Sequence, residues 1–137
     1  MTWFQAVVAI LEADTALGTL LTGGIHSNVP EISRQWSTSA FDANKEILPC
    51  LLVTAPNEAK SGPYSSSVQT TLQLFFYQRA GDDVIQAAAS RAFVLLNELH
   101  LSGIWQILYA SGIPLTSDDA LNCPMGVQRY NVFRRMT

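Results

Sequence analysis

Apolar residues recur every three or four positions near the N-terminus, the spacing that places them on one face of a helix. These residues are Phe4, Val7, Val8 and Leu11. Thr2 stands before them at an N-cap position, and Asp14 caps a short second helix over residues 15–21. Gly23 and Gly24 end that helix, because glycine favours the left-handed stop. The chain is therefore predicted to begin with two consecutive helices.

The longest helical stripe starts after Gly81, where Asp82 and Asp83 suit the positive end of a helix dipole. Its apolar members are Ile85, Ala88, Ala89, Ala92, Phe93, Leu96 and Leu99. One apolar face predicts a helix from Val84 to Leu99 that packs on a sheet. His100 follows as a favourable group at the helix C-terminus.

A period-two alternation marks the clearest strand, Val68 to Tyr77, with one apolar and one mostly polar face. Other extended segments are Ile25 to Val29, Ile47 to Thr54, Ile104 to Ala110 and Met125 to Arg135. Pairs of strands separated by a helix predict an α+β fold with a mainly antiparallel sheet of about four strands and helices packed on one face. The expected core includes Leu72, Leu74, Phe76, Phe93 and Leu96.

Three segments without a clear period are predicted to be loops. Residues 31–46 are polar but contain Trp36 and Phe41, and residues 55–67 are rich in Pro, Gly and Ser. Residues 116–124 form another polar loop. Large aromatic rings in loops either fold back on the core or anchor an interface, and both alternatives apply to Trp36, Phe41 and Tyr64. The first loop is a predicted contact arm.

Composition narrows the function classes. The 137 residues suit one domain, and their formal net charge of −3 is the wrong sign for a nucleic-acid-binding module. Charged residues make up only 14% of the chain, which is typical of surfaces covered by neighbouring subunits. The first apolar run, Ala6 to Leu11, is short and has no basic residue before it, so we expect neither a secretory signal nor a membrane span.

Candidate chemistry is sparse. His26 and His100 lie far from zinc-ligand spacing, and Cys50 and Cys123 are expected to be free thiols. The acidic pairs Asp82-Asp83 and Asp118-Asp119 are adjacent in sequence, so neither pair shares a helix face as an acid–base dyad would. No phosphate-binding loop or nucleophile turn is present. We therefore expect no enzyme activity, no metal site and no cofactor.

Basic residues gather at the end of the chain. Arg129, Arg134 and Arg135 are three of the eight Lys and Arg residues. They either protect a solvated strand edge from stray pairing or meet an acidic partner or DNA passing nearby. Both interpretations remain open at the level of the sequence.

The layout of the whole chain resembles a known family. The segments FQAVVAILEADTALGTLLTGGIHSNVPE, ILPCLLVT, TTLQLFFYQRAGDDVIQAAASRAFVLLNEL and GVQRYNVFRR resemble the tail terminator proteins of long-tailed bacteriophages, also called tail completion or tail-to-head joining proteins. The resemblance runs from Thr2 to Arg135 and is one of pattern, without a catalytic signature. It implies a subunit of a homo-oligomeric ring, usually sixfold, at the head-proximal end of the tail tube.

That resemblance also implies partners and sites. The ring would end tube polymerisation and bind the tail tube protein and the head connector, with DNA only as passing cargo, in the neck of a virion assembled in the host cytoplasm. Trp36 and Phe41 would contact a neighbouring subunit or the tube. An arm from Asn57 to Ser67, with Lys60 and Tyr64, would touch the tube or connector, and the C-terminal arginines complete the expected interface.

Two other hypotheses stay open. Another neck subunit, such as a head-closure or connector protein, would also form a ring but would bind the portal side. A small cytosolic enzyme or ligand-binding domain has the same α+β layout, since a fold does not define a function. That second hypothesis requires a convergent polar pocket.

Overall fold

Two helices begin the chain, as the N-terminal spacing predicts. The computed structural model describes residues 2–27, 29–60, 67–101 and 104–135, without the side chains of residues 56–60, 67, 105, 114 and 135. Helix α1 spans Trp3–Ala13 and helix α2 spans Thr15–Leu20. The Thr2 hydroxyl accepts a hydrogen bond from the Gln5 N–H, and the Gln5 side chain accepts one from the Thr2 N–H. This reciprocal capping box explains why α1 starts where it does.

In the described residues six strands form one mixed sheet, so the expected number of about four is too low. The strands are β1 (Ile25–His26), β2 (Cys50–Lys60), β3 (Ser67–Tyr77), β4 (Leu99–Leu101), β5 (Ile104–Asp118) and β6 (Cys123–Arg135). Their order across the sheet is β1-β2-β3-β6-β5-β4. β1 pairs with β2 in parallel, and the other neighbours are antiparallel. The predicted α+β class is confirmed, with a sheet that is mainly but not wholly antiparallel.

Two strands continue through segments that were predicted to be loops or breaks. β2 extends to Lys60, and a register irregularity between Thr54 and Asn57 accommodates Pro56, which has no N–H to donate. β5 extends to Asp118, and the last of the three register irregularities in its pairing with β6 lies between Ile113 and Thr116. In both cases an adjacent strand supplies hydrogen-bond partners, and this pairing overrides the local preference of Pro and Gly for turns.

The third helix, α3, is shorter than its apolar stripe suggests. It spans Asp83–Leu96, and Glu98 adopts a left-handed backbone with φ 64° that turns the chain into β4. The Glu98 N–H donates to the Ile107 carbonyl at 2.7 Å. His100 therefore lies in β4 and is not a helix C-terminal group, which corrects the sequence prediction.

All three helices contribute to a core on one face of the sheet, as predicted. Its buried members are Val7, Val8, Leu11, Leu17, Leu21, Leu51, Val53, Leu72, Leu74, Phe76, Ile85, Ala88, Ala92, Leu96, Ile104, Ile107, Tyr130 and Val132. Four of the five side chains expected in the core are among them. The exception is Phe93, which is 41% exposed on the solvent side of α3.

The opposite face of the sheet is also covered. Residues 29–47, which include a 3-10 turn at Thr38–Ala40, pack a second cluster against the sheet. Its buried members are Ile32, Ala40, Ile47, Cys50, Leu52, Tyr77 and Cys123. Much of the predicted contact arm is therefore a structural cover. This second cluster explains why β2 reads as a continuous apolar run, since its side chains enter a core on each face.

An ion pair joins α2 to α3. The Asp14 carboxylate accepts two hydrogen bonds from the Arg91 guanidinium, at 2.6 and 3.0 Å, and one from the Leu17 N–H at 3.0 Å. The Asp14 side chain is only 10% exposed. The hydrogen bonds from Arg91, followed by the one from Leu17, hold the pKa of Asp14 below its usual value.

This ion pair predicts a pH dependence of stability. Because the folded pKa of Asp14 is lowered, its contribution is present above the unfolded pKa, about 4, and is lost as pH falls through the folded value. We expect Asp14→Asn, which keeps the helix cap, to unfold at lower urea than the wild type at neutral pH. The gap should close at acid pH, whereas the exposed control Glu12→Gln should show no such gap. A gap that is unchanged at acid pH would contradict this assignment.

Candidate assembly interface

Trp36 is the most conspicuous of the predicted contact residues. It lies in the turn that follows Ser33, and 55% of its surface is exposed. The Trp36 N–H donates to the Ser33 hydroxyl at 3.0 Å, and the Ser37 N–H donates to the Ser33 carbonyl at 2.8 Å. Ser37 itself is buried. The backbone under the indole is therefore held firmly while the ring faces solvent.

Phe41 has a different environment, although it lies in the same segment. Its ring is half-buried against the second cluster, and its backbone forms an isolated antiparallel bridge with Ile47. The Arg34 guanidinium lies 5.0 Å from the centre of the Phe41 ring. The Phe41 ring therefore mainly folds back on the core, whereas the Trp36 ring is exposed, as the ring of an interface anchor would be.

The predicted arm from Asn57 to Ser67 lies partly in strands. Asn57 pairs with Thr71 and Lys60 with Val68 through the β2–β3 ladder. Their side chains, like the whole of Tyr64, lie outside the described part of the molecule. The strand assignments of residues 57–60 and of Ser67 correct the sequence prediction of a loop.

The C-terminal arginines are not on a strand edge. β6 lies between β3 and β5, so the Arg129 backbone pairs with Gln73 on one side and Ser111 on the other. Arg129 and Arg134 are five positions apart in a regular strand, so their side chains leave opposite faces of the sheet. The Arg134 guanidinium lies 5.5 Å from the centre of the Trp3 ring. The interpretation as edge protection is wrong, and these two side chains form no single basic patch.

Arg135 continues the same strand, and its backbone pairs with Ser67. Its side chain is not among those described.

The cysteines are free and buried. Burial raises the pKa of the Cys50 thiol to about 12 and that of Cys123 to about 11. Such thiols stay protonated at neutral pH and are poor nucleophiles. The His26 ring donates to the Gly23 carbonyl at 2.8 Å, a local turn contact.

Within ranges 2–27, 29–60, 67–101 and 104–135, no three His, Cys, Asp or Glu side chains are grouped so that they could hold a metal ion. None of the helices described there has the length and apolarity needed to cross a bilayer.

An open groove between α3 and β5 is the surface that sequence reasoning missed. This α3–β5 groove has a volume of about 650 Å³ and is bordered on the outside by four exposed apolar side chains. They are Phe93, Val94, Tyr109 and Ile113, which are 41%, 66%, 43% and 42% exposed. Among the described lining residues there is no charged side chain. The apolar stripe of α3 is wider than the part that the sheet covers. This width is the feature of the sequence that could have indicated the groove.

Gly112 determines the shape of the groove wall. A Cβ atom at this position would lie 2.5 Å from the Tyr109 hydroxyl oxygen, so the missing side chain lets the Tyr109 ring lie along β5. That ring contacts Phe93 and Tyr130 edge-on, with centroids 5.6 Å apart in each case. The exposed wall is therefore continuous with the buried core.

Polar groups on the floor of the groove are already paired. The Gln128 amide donates to the Ala89 carbonyl at 3.0 Å and accepts from the Tyr130 hydroxyl at 2.9 Å. A catalytic pocket normally has convergent polar groups with shifted pKa values, whereas this groove has an apolar wall and a satisfied floor. Its chemistry suits contact with another apolar surface.

Comparison with known proteins identifies the fold. No protein-family model matches this chain, and no curated protein sequence matches it. A chain in the solved structure of the virion of a native gene transfer agent (GTA) particle is similar in fold, with a TM-score of 0.68 and 13% sequence identity. The match covers 97% of this chain and 94% of that chain. The protein therefore has, over almost its whole length, the fold of a chain found in that virion.

Proposed function

We propose that this protein is a tail terminator: a structural virion protein that forms a ring at the head-proximal end of the tail tube. The ring ends tube polymerisation and joins the tail to the head connector. The observation that carries the proposal is the fold shared with a chain of a gene transfer agent virion along 97% of this chain. That match supports a structural virion role, and the tail terminator part of the proposal rests on the sequence pattern that resembles that family.

The surface supports a role in assembly. An exposed Trp36 and an uncharged apolar groove are features that a partner would cover, since large apolar patches mark interaction sites. The chain has few charges for its length, with eight Lys and Arg against eleven Asp and Glu. We infer that the partners are further copies of this chain, the tube protein and the connector. DNA is passing cargo, and a net negative ring would let it slide.

The proposed role is not enzymatic. The buried thiols have raised pKa values, and the polar groups on the floor of the groove are already paired. Neither feature supports the alternative of a small enzyme or ligand-binding domain. The proposal places the protein in the neck of the virion, after assembly in the host cytoplasm.

The test is capping of tail tubes. The purified protein is mixed with the polymerising tail tube protein of the same genome, and tube lengths are measured by electron microscopy. We expect tubes to become shorter as the protein is added, with extra density at one end. The same protein after heat denaturation is the matched control.

The alternative function, that of another neck subunit such as a head-closure or connector protein, would also involve ring assembly. The binding partner distinguishes the two functions. Binding to the connector without any effect on tubes would transfer the proposal to that class. Binding to neither partner would reject both roles.

A further inference from the structure

We propose that Trp36 of one copy inserts into the α3–β5 groove of the next copy, and that this contact links the subunits head to tail. The proposal rests on the proposed ring and names the contact that would build it. The occupant of the groove is thus a second copy of this chain.

Trp36 has the properties of an anchor. Its indole is 55% exposed, while two hydrogen bonds around Ser33 hold the backbone of its turn. A rigid aromatic side chain loses little conformational entropy on binding, and tryptophan is enriched among the residues that dominate binding energy. The segment that carries it is fastened to the sheet by the second cluster, through Ile32, Ala40 and Ile47.

The groove has the complementary properties. Its volume of about 650 Å³ lies in the range of about 300 to 1,000 Å³ in which proteins hold compact ligands, and it accommodates an indole ring. Phe93 and Tyr109 offer ring edges for aromatic contact. The described lining residues carry no charge, so an apolar side chain enters without stripping water from an ion.

The positions of the two features determine the symmetry of the contact. The segment bearing Trp36 covers the face of the sheet occupied by the second cluster, whereas the groove lies on the face that carries α3. A two-fold dimer requires the same patch on both partners, and features on opposite faces do not meet reciprocally in one interface. The contact is therefore heterologous, which is the type that closes into rings.

The edge of β5 enlarges the contact surface. In the described residues β4 pairs with β5 only between Ile104 and Ile107, and beyond that point β5 has a strand neighbour on one side alone. Residues 108–117 contain no charged residue, so this edge is uncharged, although Pro114 and the register irregularities limit the strand pairing that it offers. The four apolar groove residues are 41–66% exposed and together present on the order of 300 Å², since an aromatic side chain has about 150–250 Å² and a branched aliphatic one somewhat less. A standard interface uses about 800 Å² per partner, and the edge supplies part of the difference.

The test uses two complementary variants and sedimentation to measure mass. Trp36→Ala removes the anchor and keeps the groove, whereas Val94→Asp charges the groove wall and keeps the anchor. We expect the wild type to form species larger than a dimer and each variant alone to be monomeric, with its dissociation constant raised roughly thirtyfold or more. Their equimolar mixture should form a dimer and nothing larger, because one intact anchor meets one intact groove.

Two matched variants control for folding and surface charge. Gln35→Ala alters the same turn, and Ala87→Asp adds a carboxylate to an exposed position of α3 outside the groove. Both should assemble as the wild type does. Circular dichroism checks that all four variants keep the wild-type fold.

The proposed contact would be overturned if the wild type is monomeric, or if Trp36→Ala or Val94→Asp assembles as the wild type does. It would also be overturned if the mixture of the two variants dimerises no better than each variant alone. If the variants assemble normally and still cap tubes, this contact is wrong and the tail terminator function stands. If both variants lose assembly as expected but the wild type leaves tube lengths unchanged, the contact stands and the tail terminator function is wrong.

Discussion

Replacing Tyr130 by alanine should destabilise the protein by about 3–5 kcal/mol, the range for removing a buried aromatic ring. Tyr130 is fully buried in the core under the helices, on the central strand β6. Its ring supports the exposed Tyr109 edge-on, and its hydroxyl donates to the Gln128 amide. The backbone around the cavity left by alanine cannot move in to close it, because strands on both sides pair with β6. Chemical denaturation of the purified variant measures the change.

Tyr130→Phe is the matched control for this variant. It keeps the ring and loses the hydroxyl, so the expected cost is about 1 kcal/mol, the net value of one hydrogen bond. A phenylalanine variant as unstable as the alanine variant would contradict the packing argument. In that case the Gln128 contact would dominate.

Replacing Gln78 by alanine should cost about 2 kcal/mol, a large effect for a polar residue. The Gln78 side chain is 7% exposed, and its carbonyl oxygen accepts hydrogen bonds from the Val84 and Ile85 N–H groups at 3.0 and 3.1 Å. These are free donors in the first turn of α3. The Gln78 amide also donates to Ala80 and to Asp83. Alanine would leave these donors in a partly buried site without a partner.

Gln86→Ala is the control that tests whether the loss of stability is specific to position 78. Gln86 lies on the exposed side of α3, and in the described structure its side chain donates a hydrogen bond only to the carboxylate of Asp82. Its removal should change the free energy of unfolding by less than about 0.5 kcal/mol, as surface substitutions usually do. Equal losses for Gln78→Ala and Gln86→Ala would show that Gln78 is not the cap of α3.

Local patterns predicted the helices well because each depends on neighbours in sequence. Thr2 caps α1 and Asp14 caps α2, as expected, and the buried residues of α3 follow the predicted stripe. The cap of α3 was missed. Asp82 makes no side-chain cap bond, and Gln78 reaches the helix from the end of β3 through a turn whose path the sequence does not reveal.

Strand limits were harder to predict because a strand is completed by its partner. Residues 55–60 and 111–118 contain Pro, Gly and Ser, which favour turns locally. Their backbone groups nevertheless pair with β3 and β6, and register irregularities accommodate the prolines. β4 is too short to carry a period of its own, so only its pairing with β5 identifies it as a strand, whereas β1 lies within the extended segment predicted from Ile25 to Val29.

The residues of the candidate interface also differ in how well the sequence predicted their environment. Trp36 could be singled out from sequence, because a large ring in a polar segment needs either a core or a partner. Phe41 met the same criterion but packs against the second cluster. Whether an aromatic ring is covered depends on what the fold brings to it, and the sequence contains no measure of that distance.

The sequence by itself determined the α+β class, the helices, the buried centres of β2 and β3 and the lack of any recognisable catalytic motif. Each of these follows from the period or identity of nearby residues. The tertiary structure decided the strand order, the central place of β6, the second core and the α3–β5 groove. These features join residues far apart in the chain, as Ala89 and Gln128 are joined across the groove. Contacts of this kind arise from packing, which no local pattern encodes.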